Sequence, residues 1–155
     1  MRIPDVNLLL YAYDASSPFH ARAAAWWQAS LNGDDPVLLP DVVAFGFVRV
    51  GTNPRAFRHP MTVAEAVSHV RSWLRQDVVT IPVPAPDHVE RVLGSLESLG
   101  AAGNLVTDAQ IAAVALANDA VLHTADTDFI RFPRLRWLNP LTGDAPARRR
   151  VSRRA

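Results

Sequence analysis

The chain is predicted to fold as an α/β domain, with a central parallel sheet of four or five short strands covered by helices on both faces. Three observations predict it. Short β-like runs alternate with longer helical stretches along the chain, the element order that a parallel sheet with crossover helices requires. A length of 155 residues fits one domain, large enough to bury a core of its own. Cys is absent and no repeat or linker-like composition interrupts the alternation, so the fold rests on packing rather than on disulfides.

In chain order, "RIP" at 2–4 is the first strand, and Asp5 follows it at the start of a helix. "SPFHARAAAWWQASLNG" opens on Ser17-Pro18, a cap and first turn, and stops near Gly33. "VLLP" at 37–40 is the second strand, and Asp41 is expected to cap the helix that follows it. In "TVAEAVSHVRSWLRQ" the apolar residues Val63, Val67, Val70, Trp73 and Leu74 recur at helical spacing. "VVTIPV" at 78–83 is the third strand, and a second stripe follows at Val89, Val92, Leu93 and Leu96. Both stripes are expected to be core. "NLVTDAQIAAVALAND" is apolar nearly all round, the pattern of a central buried helix with Asn104 near its cap. "AVLH" at 120–123 and "LRWL" at 135–138 complete the sheet.

The formal charge of +1 conceals an asymmetry. Arg148, Arg149, Arg150, Arg153 and Arg154 crowd the last eight residues, and subtracting these five from +1 leaves the body at about −4. All sixteen basic residues are Arg. The segment 142–155 is therefore expected to be either a solvated end or an arm that touches nucleic acid phosphates. The apolar run "LLLYAY" after Asp5 is too short to span a bilayer and lacks a basic leader. A soluble, cytoplasmic protein with no membrane partner is expected.

Four carboxylates stand where such a sheet places ligands. Asp5 follows the first strand, and Asp126 and Asp128, in "TADTDF", follow the fourth. In a parallel sheet with right-handed crossovers these ends share one edge. The ordinary readings are an N-cap for Asp5 and a polar turn for the pair. Asp108 is harder to explain so, because it lies early in a helix whose other residues look buried, and a buried carboxylate without a partner is costly. Acids packed together repel unless a cation neutralises them. With no Cys, and with His20, His59, His69, His88 and His123 scattered, the donor chemistry suits Mg²⁺ or Mn²⁺ rather than zinc.

Together, "RIPDVNLLLYAYD", "FVRVGTNPRAF", "GNLVTDAQIAAVAL" and "TADTDFIRFPRLRWLNP" resemble the PIN domain, and within it the VapC-type toxins of bacterial toxin–antitoxin pairs. The resemblance covers residues 1–141, leaving 142–155 as an Arg-rich tail. It implies a PIN-like fold and a Mg²⁺-dependent (or Mn²⁺-dependent) endoribonuclease that hydrolyses RNA, binds a cognate VapB-type antitoxin and forms a homodimer. Carried over, it implies Asp5, Asp108 and Asp126 as catalytic residues and Asp5, Asp108, Asp126 and Asp128 as metal ligands. Asn7 and Thr124 are either supporting residues that orient carboxylates and water, or a cap and a turn residue.

One position departs from the family. A Glu is usual on the helix after the second strand, and Gly46 stands there. Asp41, five residues earlier, lies roughly 140° away around the helix. The alternative reading is accordingly a catalytically weak or inactive PIN domain that binds RNA or its antitoxin without cutting. A haloacid-dehalogenase-like phosphatase also carries an Asp after its first strand. That class normally has a second Asp two residues on and a Lys, whereas this chain has Asn7 and no Lys.

Overall fold

The computed structural model describes residues 1–145; residues 146–155, with the five clustered arginines, lie outside the described residues. Five strands, β1 (Arg2–Pro4), β2 (Val37–Leu38), β3 (Val79–Thr80), β4 (Val121–His123) and β5 (Trp137–Leu138), form one sheet in the order β3-β2-β1-β4-β5. Every pairing is parallel. Among the described residues six helices surround it: α1 (Val6–Tyr13), α2 (His20–Leu31), α3 (Asp41–Gly51), α4 (Val63–Leu74), α5 (His88–Leu99) and α6 (Leu105–Ala117). Right-handed crossovers place α1 to α4 on one face and α5 and α6 on the other. The chain walks outward from β1 to β3, then returns across the sheet to β4, so the order reverses beside β1. That is where open α/β sheets form a crevice at their strand ends.

The strands are shorter than their apolar runs. "VVTIPV" contributes only Val79 and Thr80 to the sheet, because Pro82 and Pro84 lack the N–H that a ladder needs. What holds the sheet is packing. Ile3, Leu8, Leu9, Val37, Leu39, Ile111 and Leu122 are fully buried, each such side chain contributing about 1.5–3 kcal/mol. An aromatic group fills the space between α1, α2, α3 and α4: Phe47 and Trp73 meet edge to face at 4.7 Å, and Trp27 meets Trp73 at 5.4 Å. The Trp73 indole N–H donates to the Tyr13 hydroxyl at 2.8 Å, so the group carries its polar atom satisfied.

Helix boundaries follow local chemistry, with some departures from the sequence reading. Thr62 and Glu65 form a reciprocal capping box on α4, a Thr-x-x-Glu signal legible in advance. α5 ends at Gly100 in the left-handed region, φ 62°, where a residue without Cβ is favoured. α2 begins at His20 rather than at Ser17-Pro18, because the Ser17 hydroxyl accepts from the Phe19 amide and makes a separate turn. Pro40, not Asp41, caps α3; Asp41 is its first helical residue and accepts from the Val42 amide. Asn104 precedes α6 without a side-chain cap. The two stripes expected to be core are only partly so. Trp73 and Val92 are buried, while Val63 is exposed and Val89 and Leu93 are 68% and 51% exposed. Helical spacing identifies residues that share a face, but the flank of that face that meets the sheet is a tertiary matter. No helix among the described residues is long and apolar enough to cross a membrane.

Candidate active site at the switch of the sheet

β1 and β4 are neighbours, with Pro4 opposite His123. The next residue of each strand therefore emerges at the same edge, and these are Asp5 and Thr124. The Asp5 amide donates to the His123 carbonyl at 2.9 Å, and the Thr124 amide to the Leu138 carbonyl at 3.0 Å. The backbone at both residues is thus fixed by the sheet, before any side chain acts.

A short hydrogen-bonded relay then orders the acids. The Thr124 hydroxyl, 1% exposed, donates to Asp5 Oδ2 at 2.8 Å and accepts from the Asp126 amide at 2.9 Å. Asp126 Oδ1 in turn accepts from the Asp128 amide at 2.8 Å and caps the 3-10 turn Thr127–Arg131. Thr124 thus uses its hydroxyl in both directions, which Val could not reproduce. For Asp126, the turn reading holds.

Asp5 is 3% exposed. It stands at the N-cap position of α1 without a side-chain capping bond, and its carboxylate is engaged by the Thr124 hydroxyl. Burial lifts its pKa to about 6, the Thr124 hydrogen bond and the nearby Val6 and Asn7 amides pull it down, and the charge of Asp126 adds to the rise. Asp108 lies in the first turn of α6. A helix N-terminus favours an ionised acid, but here that effect is outweighed. Burial first, then the charges of Asp5, Asp126 and Asp128, raise Asp108 to about 7. Among the described residues, every charged neighbour acting on these two groups is itself an acid.

Asp126 therefore acts on Asp5, and Asp5, Asp126 and Asp128 act on Asp108. Among the described residues, however, no three Asp, Glu or His side chains are gathered closely enough to hold a metal ion by themselves. The donor set still fits a hard ion of the Mg²⁺ kind, which takes one or two carboxylates and keeps several waters. Asn7 is half-buried in the first turn of α1, and its side-chain amide makes no hydrogen bond among the described residues. The sequence reading missed Tyr11. Its phenol is shifted upward by burial and then by the charges of Asp5 and Asp126, which puts it beside the acids. Its place two turns into α1 carried no signal.

Gly46 lies on α3 and is buried against α1. A Cβ at this position would stand 2.9 Å from Cγ2 of Val6, the residue after Asp5. Val is stiff at χ1, so neither side yields cheaply. Gly46→Ala is expected to lower stability by about 1–3 kcal/mol, the usual range for overpacking, despite the better helix propensity of Ala. Gly46→Glu should cost at least as much. Urea denaturation measures both; an unchanged or higher midpoint for Gly46→Ala would show that α1 and α3 separate freely.

The PIN domain family profile matches residues 2–135. The chain is 45% identical over 141 residues to "Ribonuclease VapC33" of Mycobacterium tuberculosis, covering 91% of this chain and 99% of that protein. Among solved structures it is similar to VapC20 of Mycobacterium tuberculosis, described as a Sarcin-Ricin loop cleaving toxin, with TM-score 0.65 and 16% identity over 84% of this chain and 93% of that one. It is also similar to VapBC-1 of nontypeable Haemophilus influenzae, with TM-score 0.60 and 19% identity over 90% and 97% of the two chains. At these identities the two structures speak for the fold alone.

Proposed function

The chain belongs to the PIN-domain family, among its VapC-type ribonucleases, and on that premise we propose that it is a Mg²⁺-dependent endoribonuclease, the toxin of a toxin–antitoxin pair. The observation that carries the reading is that the charges of Asp5 and Asp126 act on Asp108, and that of Asp126 on Asp5, with no cationic group among the described residues offsetting them. An uncompensated group of acids attracts a divalent ion and repels a phosphodiester until that ion is present.

Asp5 and Asp108 are the chief ligands, and Asp126 and Asp128 complete the acidic rim. A divalent ion bound there would polarise the scissile phosphate and make an attacking water more acidic. Thr124 holds the Asp5 carboxylate in one orientation through its 2.8 Å hydrogen bond, and the relay to Asp126 keeps that carboxylate at the same rim. Asn7, in the first turn of α1, offers an amide to orient water or substrate. Cleavage of RNA by the purified protein with Mg²⁺ or Mn²⁺, lost on chelation, tests the reading. Mapping the cleavage sites on total RNA names the substrate.

The cognate partner is a VapB-type antitoxin whose basic side chain enters the acidic pocket, as Arg–carboxylate chemistry favours. A homodimer and a cytoplasmic location accompany that role. A second reading, an RNA- or antitoxin-binding domain that cuts weakly or not at all, is favoured by one observation: Gly46 brings no acid, and Val6 closes on it. Binding without metal-dependent cleavage distinguishes it.

The segment 148–155 is assigned to phosphate contact. Its deletion is expected to weaken RNA binding and flatten the salt dependence of the affinity, leaving the cleavage sites unchanged. An unchanged salt slope would make it a solvated end only.

A further inference from the structure

A cleft of about 470 Å³ opens between α3 and α6, lined by Asp41, Phe45, Gly46 and Arg49 on one side and by Thr107 and Gln110 on the other. We infer that this cleft seats a nucleotide adjoining the scissile phosphate, with Phe45 as the stacking surface for its base and Arg49 as a contact to its phosphate. The inference rests on the ribonuclease reading above and adds a substrate subsite to it.

None of the four acids lines the cleft itself, but two of its lining residues border them. Gly46 packs against Val6, directly after Asp5, and Thr107 directly precedes Asp108. A strand that follows α3 and α6 toward these acids would enter the cleft. Having no side chain, Gly46 leaves the floor low. Asp41, Phe45 and Arg49 are spaced four apart and so form one stripe along α3.

Phe45 is 71% exposed. A lone exposed apolar side chain is ordinary, but this one flanks a cleft and has a guanidinium one turn away. Arg49 has no ion pair among the described residues, so its charge is available to a ligand. An aromatic face beside an unneutralised Arg is what an unpaired RNA base and its phosphate use, because every base has a π-face and every linkage a charge. Gln110 supplies an amide able to meet a base edge as donor or acceptor. Asp41 opposes a phosphate at its own end of the cleft, which places the backbone on the Arg49 side. The other occupant such a face could take is a second copy of this chain.

The full-length protein tests this with a labelled single-stranded RNA in chelator, where binding is read without cleavage. Phe45→Ala should raise Kd about tenfold, a typical loss for one stacked base, and Phe45→Trp should restore it. Arg49→Ala should weaken binding and lower the salt slope by about one. With Mg²⁺ added, both Ala variants should raise KM more than they lower kcat. Sedimentation should give the same oligomeric state for all variants. Wild-type Kd and KM in Phe45→Ala, with wild-type protein cutting normally, overturns the subsite and leaves the ribonuclease reading standing. A changed oligomeric state in Phe45→Ala overturns it in favour of a second copy as occupant. If wild-type protein neither binds nor cuts RNA, both readings fall together.

Discussion

Asp5→Asn and Asp108→Asn are each expected to lower RNA cleavage by at least about 10²–10³-fold, the scale seen when one preorganised electrostatic group is removed from an active site. Asn keeps the shape and an acceptor oxygen, so the Thr124 hydroxyl retains a partner at position 5 and the fold persists. What is lost is charge. Asp5 is almost wholly buried, and Asp108 is raised by burial and by the charges of Asp5, Asp126 and Asp128, so each negative charge is expensive unless an ion offsets it. Removing either one should cost that much cleavage while leaving the metal-free protein as stable as the wild type or more so. Cleavage assays at saturating Mg²⁺ beside melting curves without it make the comparison. Wild-type rates in either variant would sink the assigned site, and a collapse in stability would mean that the carboxylates hold the fold rather than the chemistry.

The part of this site that was legible from sequence is the part set by topology. Asp5 and Asp126 follow strands that parallel pairing must bring to one edge, and the alternation of elements already implies such a sheet. Asp108 stood out because its helix was otherwise apolar. Thr124 was legible as a polar residue between a strand and an acidic pair, but its two-way hydrogen bond was not, since that depends on the one-residue register of Pro4 with His123. Tyr11 and Phe45 were invisible for a different reason. Each sits in a helix where an aromatic residue reads as core, and only the way the helices pack tells a buried ring from one at the rim of a cleft. Position 46 was located on the correct helix, but its Gly read as an absent ligand. The structure adds that Gly46 also makes room for Val6, so that helix propensity and packing pull in opposite directions there.

Stability of the metal-free protein is expected to fall as pH rises from about 4 to about 7, and a divalent cation should restore it at the upper end. Asp5 titrates near 6 and Asp108 near 7 in the fold, against 3.8 for each in the open chain. Both shifts are upward, so the fold retains protons that the unfolded chain has released. Below 3.8 both states are protonated and the fold carries no penalty. As pH climbs through 6 and 7 these acids must ionise inside the fold, and their contribution is lost. For Asp5 the shift corresponds to about 3 kcal/mol; Asp108, half exposed, contributes less because water screens it. Mg²⁺ binds the folded, ionised site and stabilises by mass action, about 2.7 kcal/mol at a hundred times its Kd. At pH 5 protons occupy the same oxygens and the ion should add little. The control is Asp5→Asn, which removes one of the two groups and also relieves the charge that Asp5 exerts on Asp108. Melting at pH 5 and pH 8, with chelator and with Mg²⁺, should show the variant gaining on wild type as pH rises in chelator, and losing that advantage when Mg²⁺ is added. A difference between the two proteins that stays constant from pH 5 to pH 8 would mean that Asp5 is not strained by its burial, and that the acidic edge does not call for a cation.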